Sequence, residues 1–329
     1  MLEGHLGWAT KPLVQLDDQA HGVLARVITA SAGRRQAIFA AVAVHTIKGD
    51  VYRPEGDLFP PGLADVIRHG RCSEILRQAF GDVPHGLPGL LARIGEKPLD
   101  RAHDYLVITG LLTAKNSRTV EALRGAGRIS RRSLEVLAAL DPRWHHANAL
   151  TRLDTPAEAT RFNISVDFVQ SVCSRADDQA VATAIANLTS SSTLAWLVER
   201  FVRRADRLPE HPVQLEDNEL RPFTAMRDYL EAGRRYRNCL ASKLGHVAAG
   251  RLAIGEFRGE ALLEFRPLTG GAGWLLWAIH GHRNSGVPLH ICEAAEAKID
   301  SLGIPRIDEN AGGSRWSSYR SFTRELDWD

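Results

Sequence analysis

Two short polar segments in the last third of the chain carry the side chains best suited to chemistry. The first spans residues 234–240, in which Cys239 follows three arginines: Arg234, Arg235 and Arg237. Nearby positive charge stabilises a thiolate, which is the nucleophilic form of cysteine. Guanidinium groups are also well suited to binding anions. The segment therefore predicts a reactive thiol, an anion site, or both.

The second polar segment spans residues 280–284 and contains His280, His282, Arg283 and Asn284. In cysteine-dependent enzymes a histidine serves as the general base, and an asparagine can orient its ring. If the two segments meet, Cys239 would be the nucleophile, His280 or His282 the base and Asn284 the orienting residue. The more frequent alternative is that Cys239 is a small buried side chain under a sheet, because free cysteine is among the most buried residue types.

Three apolar stretches must position these segments, at residues 252–257, 260–266 and 274–280. They are rich in aromatic and β-branched residues and are separated by glycine turns, which predicts a three-stranded antiparallel meander. Helical patterns at 223–233 and 289–302 flank the meander. The polar segments then follow the first helix and the last strand. Glu256 and Glu264 could form a carboxylate pair on adjacent strands, but the simpler expectation is that both face outward on an open side of the sheet.

Most of the chain before residue 208 has helical periodicity. Apolar residues in 193–204 recur at i, i+3, i+4, i+7 and i+8, and Thr155-Pro156-Ala157-Glu158 is a capping box. The polar, proline-containing stretch 209–222 is typical of a linker or domain edge. The predicted fold class is α+β: a mostly helical array or bundle over 1–208, a linker or domain edge at 209–222, and a small α-β-β-β-α module with an antiparallel meander over 223–329.

The stretch from about residue 233 to 288 resembles the PcfJ-like domain of bacterial mobile-element proteins. Asn238-Cys239-Leu240 is similar to that family's cysteine step, Ala249-Gly250-Arg251 to the glycine before its first strand, and residues 279–284 to its closing motif. Asn238 stands where the family often has histidine, and His280 where it often has glutamine or another polar residue. The resemblance implies a bacterial accessory role and no specific reaction.

Other basic motifs are compatible with nucleic-acid binding. Residues 117–140 have the outline of a helix-turn-helix, and a second basic patch occupies one predicted helix face; an ordinary helical hairpin and a solvated face are the competing interpretations. A segment at 314–322 alternates aromatic residues with arginine and is expected to fold back on the sheet, with base stacking as the alternative. The candidate nucleic-acid-binding arginines are Arg128, Arg131, Arg132, Arg200, Arg203 and Arg204.

Composition excludes several classes of protein. With 44% hydrophobic and 24% charged residues in 329, the chain is neither disordered nor fibrous, and a net charge of +2 excludes a polycation. Its four cysteines are far apart, which argues against a disulfide framework or a zinc site, and no metal or cofactor is predicted. No apolar stretch approaches the roughly 20 residues of a membrane span, and no secretory signal is apparent. We expect a cytoplasmic protein with no membrane partner.

Two functions follow as hypotheses. The first is a bacterial accessory protein of mobile-element or defence type that engages nucleic acid or a protein partner. The second is a cysteine-dependent hydrolase or transferase, with Cys239 as nucleophile and Arg234, Arg235, Arg237 and Arg283 as the anion site. The sequence leaves open whether the protein is an enzyme and which oligomer it forms.

Overall fold

The computed structural model describes residues 3–52, 59–113, 117–214 and 218–306 of the chain. The chain divides into two compact units, each made from two stretches. The first comprises Met1–Asp167 and Asp177–Leu197, and the second comprises Phe168–Ala176 and Val198–Asp329. The second unit contains both the predicted linker and the predicted carboxyl-terminal module. The aromatic and arginine segment at 314–322 lies outside the described residues.

The chain before the sheet is helical, as its periodicity predicts. The helical pattern of residues 62–80 forms two helices, because the backbone is extended at Gly70 and Arg71. Over the described residues the helices are α1 (Glu3–Leu6), α2 (Thr10–Gln19), α3 (Val23–Thr29), α4 (Ala32–Tyr52), α5 (Leu63–His69), α6 (Cys72–Phe80), α7 (Leu87–Leu91), α8 (Ala102–Thr113), α9 (Ser117–Gly125), α10 (Arg131–Ala139), α11 (Ala147–Leu150), α12 (Pro156–Val172), α13 (Asp178–Ala186) and α14 (Leu194–Val202).

Helix α4 forms the centre of the first unit, and its residues from Ala37 to Val44 are all buried. A fully buried Gln36 precedes them without an energetic conflict, because every polar atom of its amide has a partner. Its Nε2 donates to the carbonyl oxygens of Gly95 (2.9 Å) and Lys97 (2.6 Å), and its Oε1 accepts from the Tyr105 hydroxyl (2.7 Å).

The predicted capping box starts α12. Thr155 Oγ1 accepts a hydrogen bond from the backbone N–H of Glu158 (3.2 Å). The Glu158 carboxylate reaches back to the N–H of Asp154 (2.7 Å), one residue earlier than in the standard box. Both bonds satisfy donors that would otherwise have no partner near the start of the helix.

The second unit holds an antiparallel sheet in the order β1-β2-β3-β4. The α+β fold class is confirmed, with one strand more than predicted: β1 lies in the segment expected to be a linker, and its three residues are too few to produce a recognisable alternation. The elements are β1 (Leu220–Pro222), α15 (Met226–Arg235), α16 (Leu244–Ala248), β2 (Ala253–Phe257), β3 (Ala261–Pro267), β4 (Trp274–His280) and α17 (Leu289–Ser301).

The two faces of this sheet differ in character. On the apolar face, strand residues such as Phe257, Leu263 and Phe265 form one buried cluster with Ile291 and Ala295 of α17. The opposite face carries polar side chains, and the strand register aligns four residues in a row across it: Arg221, Glu256, Leu262 and His280. The period-two alternation of the strands produces this separation.

The expectation that Glu256 faces solvent is wrong. Its exposed fraction is 5%, because the end of α15 covers its part of the polar face. Tyr236 and Arg235 both bond to its carboxylate there. The sequence pattern correctly assigned Glu256 to the polar face, but it carries no information about which helix covers that face.

Within the described ranges, no helix is long and apolar enough to cross a membrane.

Candidate functional site

The two polar segments of the sequence are in contact. The backbone N–H of Arg283 donates to the carbonyl oxygen of Tyr236 (2.7 Å), and Asn284 Nδ2 lies 3.9 Å from Cys239 Sγ. The first segment follows the end of α15, and the second follows the end of β4. We call residues 234–240 and 280–285 the paired loops. They are adjacent because α15 ends above the sheet corner where β4 also ends.

The first of the paired loops is a Schellman motif that closes α15. The N–H of Arg237 donates to the carbonyl of Arg234 (3.3 Å), and the N–H of Asn238 donates to that of Gly233 (3.1 Å). In this motif the residue after the cap adopts a left-handed conformation, and Arg237 does so with φ 50°. That position usually holds glycine, because a Cβ there costs roughly 1–2 kcal/mol. Arginine therefore occupies a position that the backbone would favour for glycine.

The second of the paired loops is a tight turn. The N–H of Ser285 donates to the carbonyl of His282 (3.2 Å), and the two central residues, Arg283 and Asn284, have φ values of 58° and 55°. Two successive left-handed residues are typical of a type I′ turn, where asparagine and glycine are favoured. Asn284 fits that preference, but Arg283 does not.

Left-handed arginines are otherwise rare in the described parts of the chain. Besides Arg237 and Arg283, only Arg258 adopts this conformation, with φ 51°. Arg258 lies in the hairpin turn between β2 and β3, and its guanidinium forms an ion pair with Glu219. That arginine therefore has a role inside the fold.

The guanidinium groups of the paired loops have no comparable role, apart from that of Arg235. Arg234, Arg237 and Arg283 are exposed, and none of them makes a side-chain hydrogen bond or ion pair with another described residue. Three cationic groups on neighbouring stretches of backbone therefore point toward solvent without an internal counter-charge. This arrangement is suited to binding an anion.

Arg235 fastens the first loop to the sheet instead. Its Nη2 lies 2.6 Å from Glu256 Oε1, and the same oxygen accepts a hydrogen bond from the Tyr236 hydroxyl (2.8 Å). Burial, followed by the hydrogen bond to Glu256, raises the pKa of Tyr236 well above its ordinary value. The phenol therefore remains a donor, and the loop has a fixed attachment to β2.

The predicted thiol site is assembled in part. Cys239 is exposed, so the alternative of a buried cysteine under the sheet is wrong. It opens the short 3₁₀ helix Cys239–Ser242, which lies outside the sheet. Asn284 is its neighbour, but no hydrogen bond among the described residues joins an imidazole to its sulfur. All four cysteines of the chain are free.

The two histidines have other environments. His280 Nε2 lies 3.0 Å from Glu264 Oε2 on the neighbouring strand, and His282 is an exposed residue of the second loop. Burial acts to raise the pKa of Glu264, but the hydrogen bonds from His280 and Arg266 outweigh burial, and the net shift is downward. Glu264 is therefore a carboxylate whose two oxygens are both engaged.

The other candidate arginines differ in their surroundings. Arg131 bonds Glu135 (2.7 Å), Arg132 pairs with Asp154, and Arg128 is exposed between α9 and α10. Helix α14 ends at Val202, so Arg203 and Arg204 lie beyond the helix that was expected to carry them on one face with Arg200.

Several residues of the site escaped the sequence analysis. They are Tyr236, Arg266 and Trp277, which contact charged groups of the site. The alternation of β3 and β4 could have indicated Arg266 and Trp277, and the position of Tyr236 among three arginines could have indicated Tyr236. In the described parts of the chain, no group of three histidine, cysteine or acidic side chains is arranged to hold a metal ion.

Comparisons with protein-family models, with curated proteins and with solved structures found no match to this chain. The resemblance to PcfJ-like domains stays a prediction, and the chemistry of the site rests on its own residues.

Proposed function

We propose that this protein engages nucleic acid through the exposed arginines of its paired loops, as an accessory protein of bacterial mobile-element or defence type. The observation that carries the proposal is the pair Arg237 and Arg283. Both are left-handed, both are exposed, and their backbones belong to segments that are hydrogen-bonded to each other.

The local charge supports an anionic ligand. Arg234, Arg237 and Arg283 have no acidic partner among the described residues, and the carboxylates of Glu256 and Glu264 on the sheet are already engaged by other side chains. A phosphate that approaches the paired loops therefore meets uncompensated positive charge. Charge-assisted hydrogen bonds from arginine to phosphate are among the stronger polar contacts in proteins.

The backbone conformation supports the same ligand. A side chain at a left-handed position destabilises the fold relative to glycine, and positions that break a local rule of this kind are frequent in functional sites. The left-handed conformation of Arg258 has an explanation within the fold, because its guanidinium pairs with Glu219. For Arg237 and Arg283 the corresponding partner would be a ligand outside the chain.

The whole chain carries a net charge of only +2, so general electrostatic attraction to a polyanion is weak. Binding would depend on the local cluster and would therefore be sensitive to single arginines. The resemblance to PcfJ-like domains supports the accessory role in mobile-element or defence biology, and the helical first unit is the expected docking surface for a protein partner.

The experiment is a binding titration with short labelled oligonucleotides, followed by fluorescence anisotropy. We expect affinity to fall steeply as salt increases. The double variant Arg237→Gln, Arg283→Gln should weaken binding at least about tenfold at fixed salt. A control variant with the same loss of charge, Arg161→Gln with Arg175→Gln, changes two exposed arginines elsewhere and should bind as wild type does. Salt-independent binding, or equal effects of both variants, would reject the proposal.

A cysteine-dependent enzyme is the second candidate, favoured by one observation. Cys239 is exposed, with the Asn284 amide nitrogen 3.9 Å from its sulfur and Arg237 two positions before it in the chain. The geometry supports it less well because no histidine contacts the sulfur. Thiol labelling at neutral pH and assay of Cys239→Ala test it. Labelling at the same rate as the part-buried Cys72 and Cys292, with no activity lost, would exclude this function.

A further inference from the structure

The polar face of the sheet is covered over only half its width. On the side of β1 and β2, α15 lies over it: Arg221 pairs with Asp228 (2.9 Å), and Glu256 is buried beneath Arg235 and Tyr236. On the side of β3 and β4, Leu262 is buried, but four residues of this face are partly or fully exposed: Glu264, Arg266, Trp277 and His280. We call these four residues the open half-face.

A β-bulge places an aromatic ring on the open half-face. The pairing of β3 with β4 shifts from Glu264↔Ala278 to Phe265↔Leu276, which leaves Trp277 as an extra residue of β4. A bulge redirects the side chain at its position. Trp277 is 37% exposed, and the Arg266 guanidinium stacks 4.0 Å from the centre of its ring. A large exposed aromatic with a stacked arginine is thereby displayed on the open half-face.

The charges of the open half-face are balanced. Glu264 accepts a bond from Arg266 Nε (3.0 Å) and lies within 3.0 Å of His280 Nε2, so its carboxylate does not repel an anionic ligand in the way an unpaired one would. Arg266 is held between this carboxylate and the indole ring. The stack of Trp277 and Arg266 is therefore oriented before any ligand binds, which lowers the entropic cost of binding.

The open half-face continues directly into the paired loops. Trp277 and His280 lie three positions apart on β4, or roughly 10 Å at the usual rise of a strand. The turn that contains Arg283 follows at once. The site therefore presents a stacking surface followed by a cationic cluster. A polymeric ligand that carries flat rings and regularly spaced anionic groups would match both parts.

We propose that the open half-face is a base-stacking platform and that the ligand of the paired loops is single-stranded nucleic acid. The inference rests on the proposed function and specifies its ligand class. In a duplex the faces of the bases are stacked on each other and are inaccessible to a side chain on the sheet, whereas a single strand can place a base on Trp277 or on the Arg266 guanidinium.

The test compares a single strand with a duplex of the same sequence, using the full-length chain. We expect the single strand to bind more tightly and Trp277→Ala to weaken its binding about 5- to 100-fold, as loss of one stacked base does. Trp277→Phe should retain most of the affinity because its ring still stacks. Trp196→Ala removes an exposed tryptophan from the first unit and serves as the matched control.

The salt dependence separates this proposal from the one on which it rests. Trp277→Ala should leave the salt slope of binding unchanged, since the indole contacts no phosphate, while the double arginine variant should reduce it. If Trp277→Ala binds a single strand as wild type does, or single strand and duplex bind equally, the platform is rejected and the arginine site stands. If wild type binds neither form in a salt-dependent manner, both proposals are rejected. Circular dichroism of each variant verifies folding.

Discussion

At the scale of single residues, the chain places arginine where its backbone favours glycine. Arg237 holds the position after the helix cap in a Schellman motif, and Arg283 holds a left-handed position in a tight turn. The conformational cost and the exposed charge occur at the same two residues. Stability therefore favours glycine at these two positions, whereas the proposed binding requires arginine. Substitutions there can change the free energy of unfolding and the binding affinity separately.

The first prediction exploits this opposition. Arg237→Gly removes the left-handed strain of roughly 1–2 kcal/mol but increases the entropy of the unfolded chain by about 0.4–1 kcal/mol. The free energy of unfolding should therefore stay the same or rise by up to about 1.6 kcal/mol, while nucleic-acid affinity falls. Urea denaturation and anisotropy measure the two quantities.

Arg258→Gly is the matched control for that prediction, because it makes the same change at a left-handed arginine that pairs with Glu219. Its binding should equal that of wild type. Arg237→Gln removes the charge and keeps the strain, so it should lose affinity without any gain in stability. A large loss of stability in Arg237→Gly would show that the guanidinium serves the fold.

The second prediction concerns the buried attachment of the first loop. Glu256→Ala leaves the Tyr236 hydroxyl buried without its acceptor and removes the ion-pair partner of Arg235. The free energy of unfolding should therefore decrease by about 2–3 kcal/mol. The double variant with Tyr236→Phe should lose less than the sum of the single losses, because the unsatisfied hydroxyl is gone. Chemical denaturation measures both, and Glu260→Ala, an exposed neighbour, should be near neutral. Strict additivity would contradict the proposed attachment.

At the scale of secondary-structure elements, the sequence predicted the meander and its flanking helices, and it left open whether the two polar segments meet. Periodicity and glycine turns identify strands and helices, and connectivity then brings the end of α15 near the end of β4. Strand β1 was missed because three residues cannot display an alternating pattern. The bulge at Trp277 was missed because it changes the pairing between strands and not the composition of either.

The third prediction belongs to the segment that joins the helical region to β1. His211 is buried there; its Nδ1 accepts from the N–H of Val213 (3.0 Å), and its Nε2 donates to the carbonyl of Ile254 on β2 (2.9 Å). Burial lowers the pKa of His211 below its ordinary value of 6.5. The unfolded chain therefore takes up a proton more readily than the folded one, and the stabilising contribution is complete above about pH 6.5 and lost as pH falls through the folded pKa.

We accordingly expect the free energy of unfolding to decrease as pH falls below 6.5, by at most about 1.4 kcal/mol per pH unit for this group. His211→Gln should flatten the profile, measured by denaturant titrations between pH 7 and pH 5. His145 of the first unit is also buried with a lowered pKa and should account for part of the remaining slope. A His211→Gln profile identical to wild type would contradict the assignment.

The fourth prediction tests the cap of α12. Thr155→Ala removes the acceptor of the Glu158 N–H and should cost about 1 kcal/mol. Thr160→Ala in the same helix removes only a hydroxyl that donates to a carbonyl already inside the helix, so its effect should be within about 0.5 kcal/mol. Thermal unfolding compares the two variants. Equal effects would mean that the box does not stabilise the start of the helix.

At the scale of the whole molecule, the chain has two compact units and its proposed site lies within the second. Composition predicted a globular chain with little net charge, and the class α+β was within reach of periodicity alone. The covering of the polar face was not, because it depends on how a helix docks on a sheet and not on any local pattern. For the same reason the sequence could name the arginines of the paired loops without distinguishing Arg235, which is held by Glu256, from those that are exposed.

The salt dependence of binding tests the central claim most directly. The logarithm of the affinity for a single strand falls linearly with the logarithm of salt concentration, with a slope of about 0.7 per phosphate contacted. If Arg237 and Arg283 each contact a phosphate, their double substitution by glutamine reduces the slope by about 1.4 relative to wild type. The substitution of Arg161 and Arg175 leaves the slope unchanged. Identical slopes for wild type and the Arg237, Arg283 variant would contradict the account.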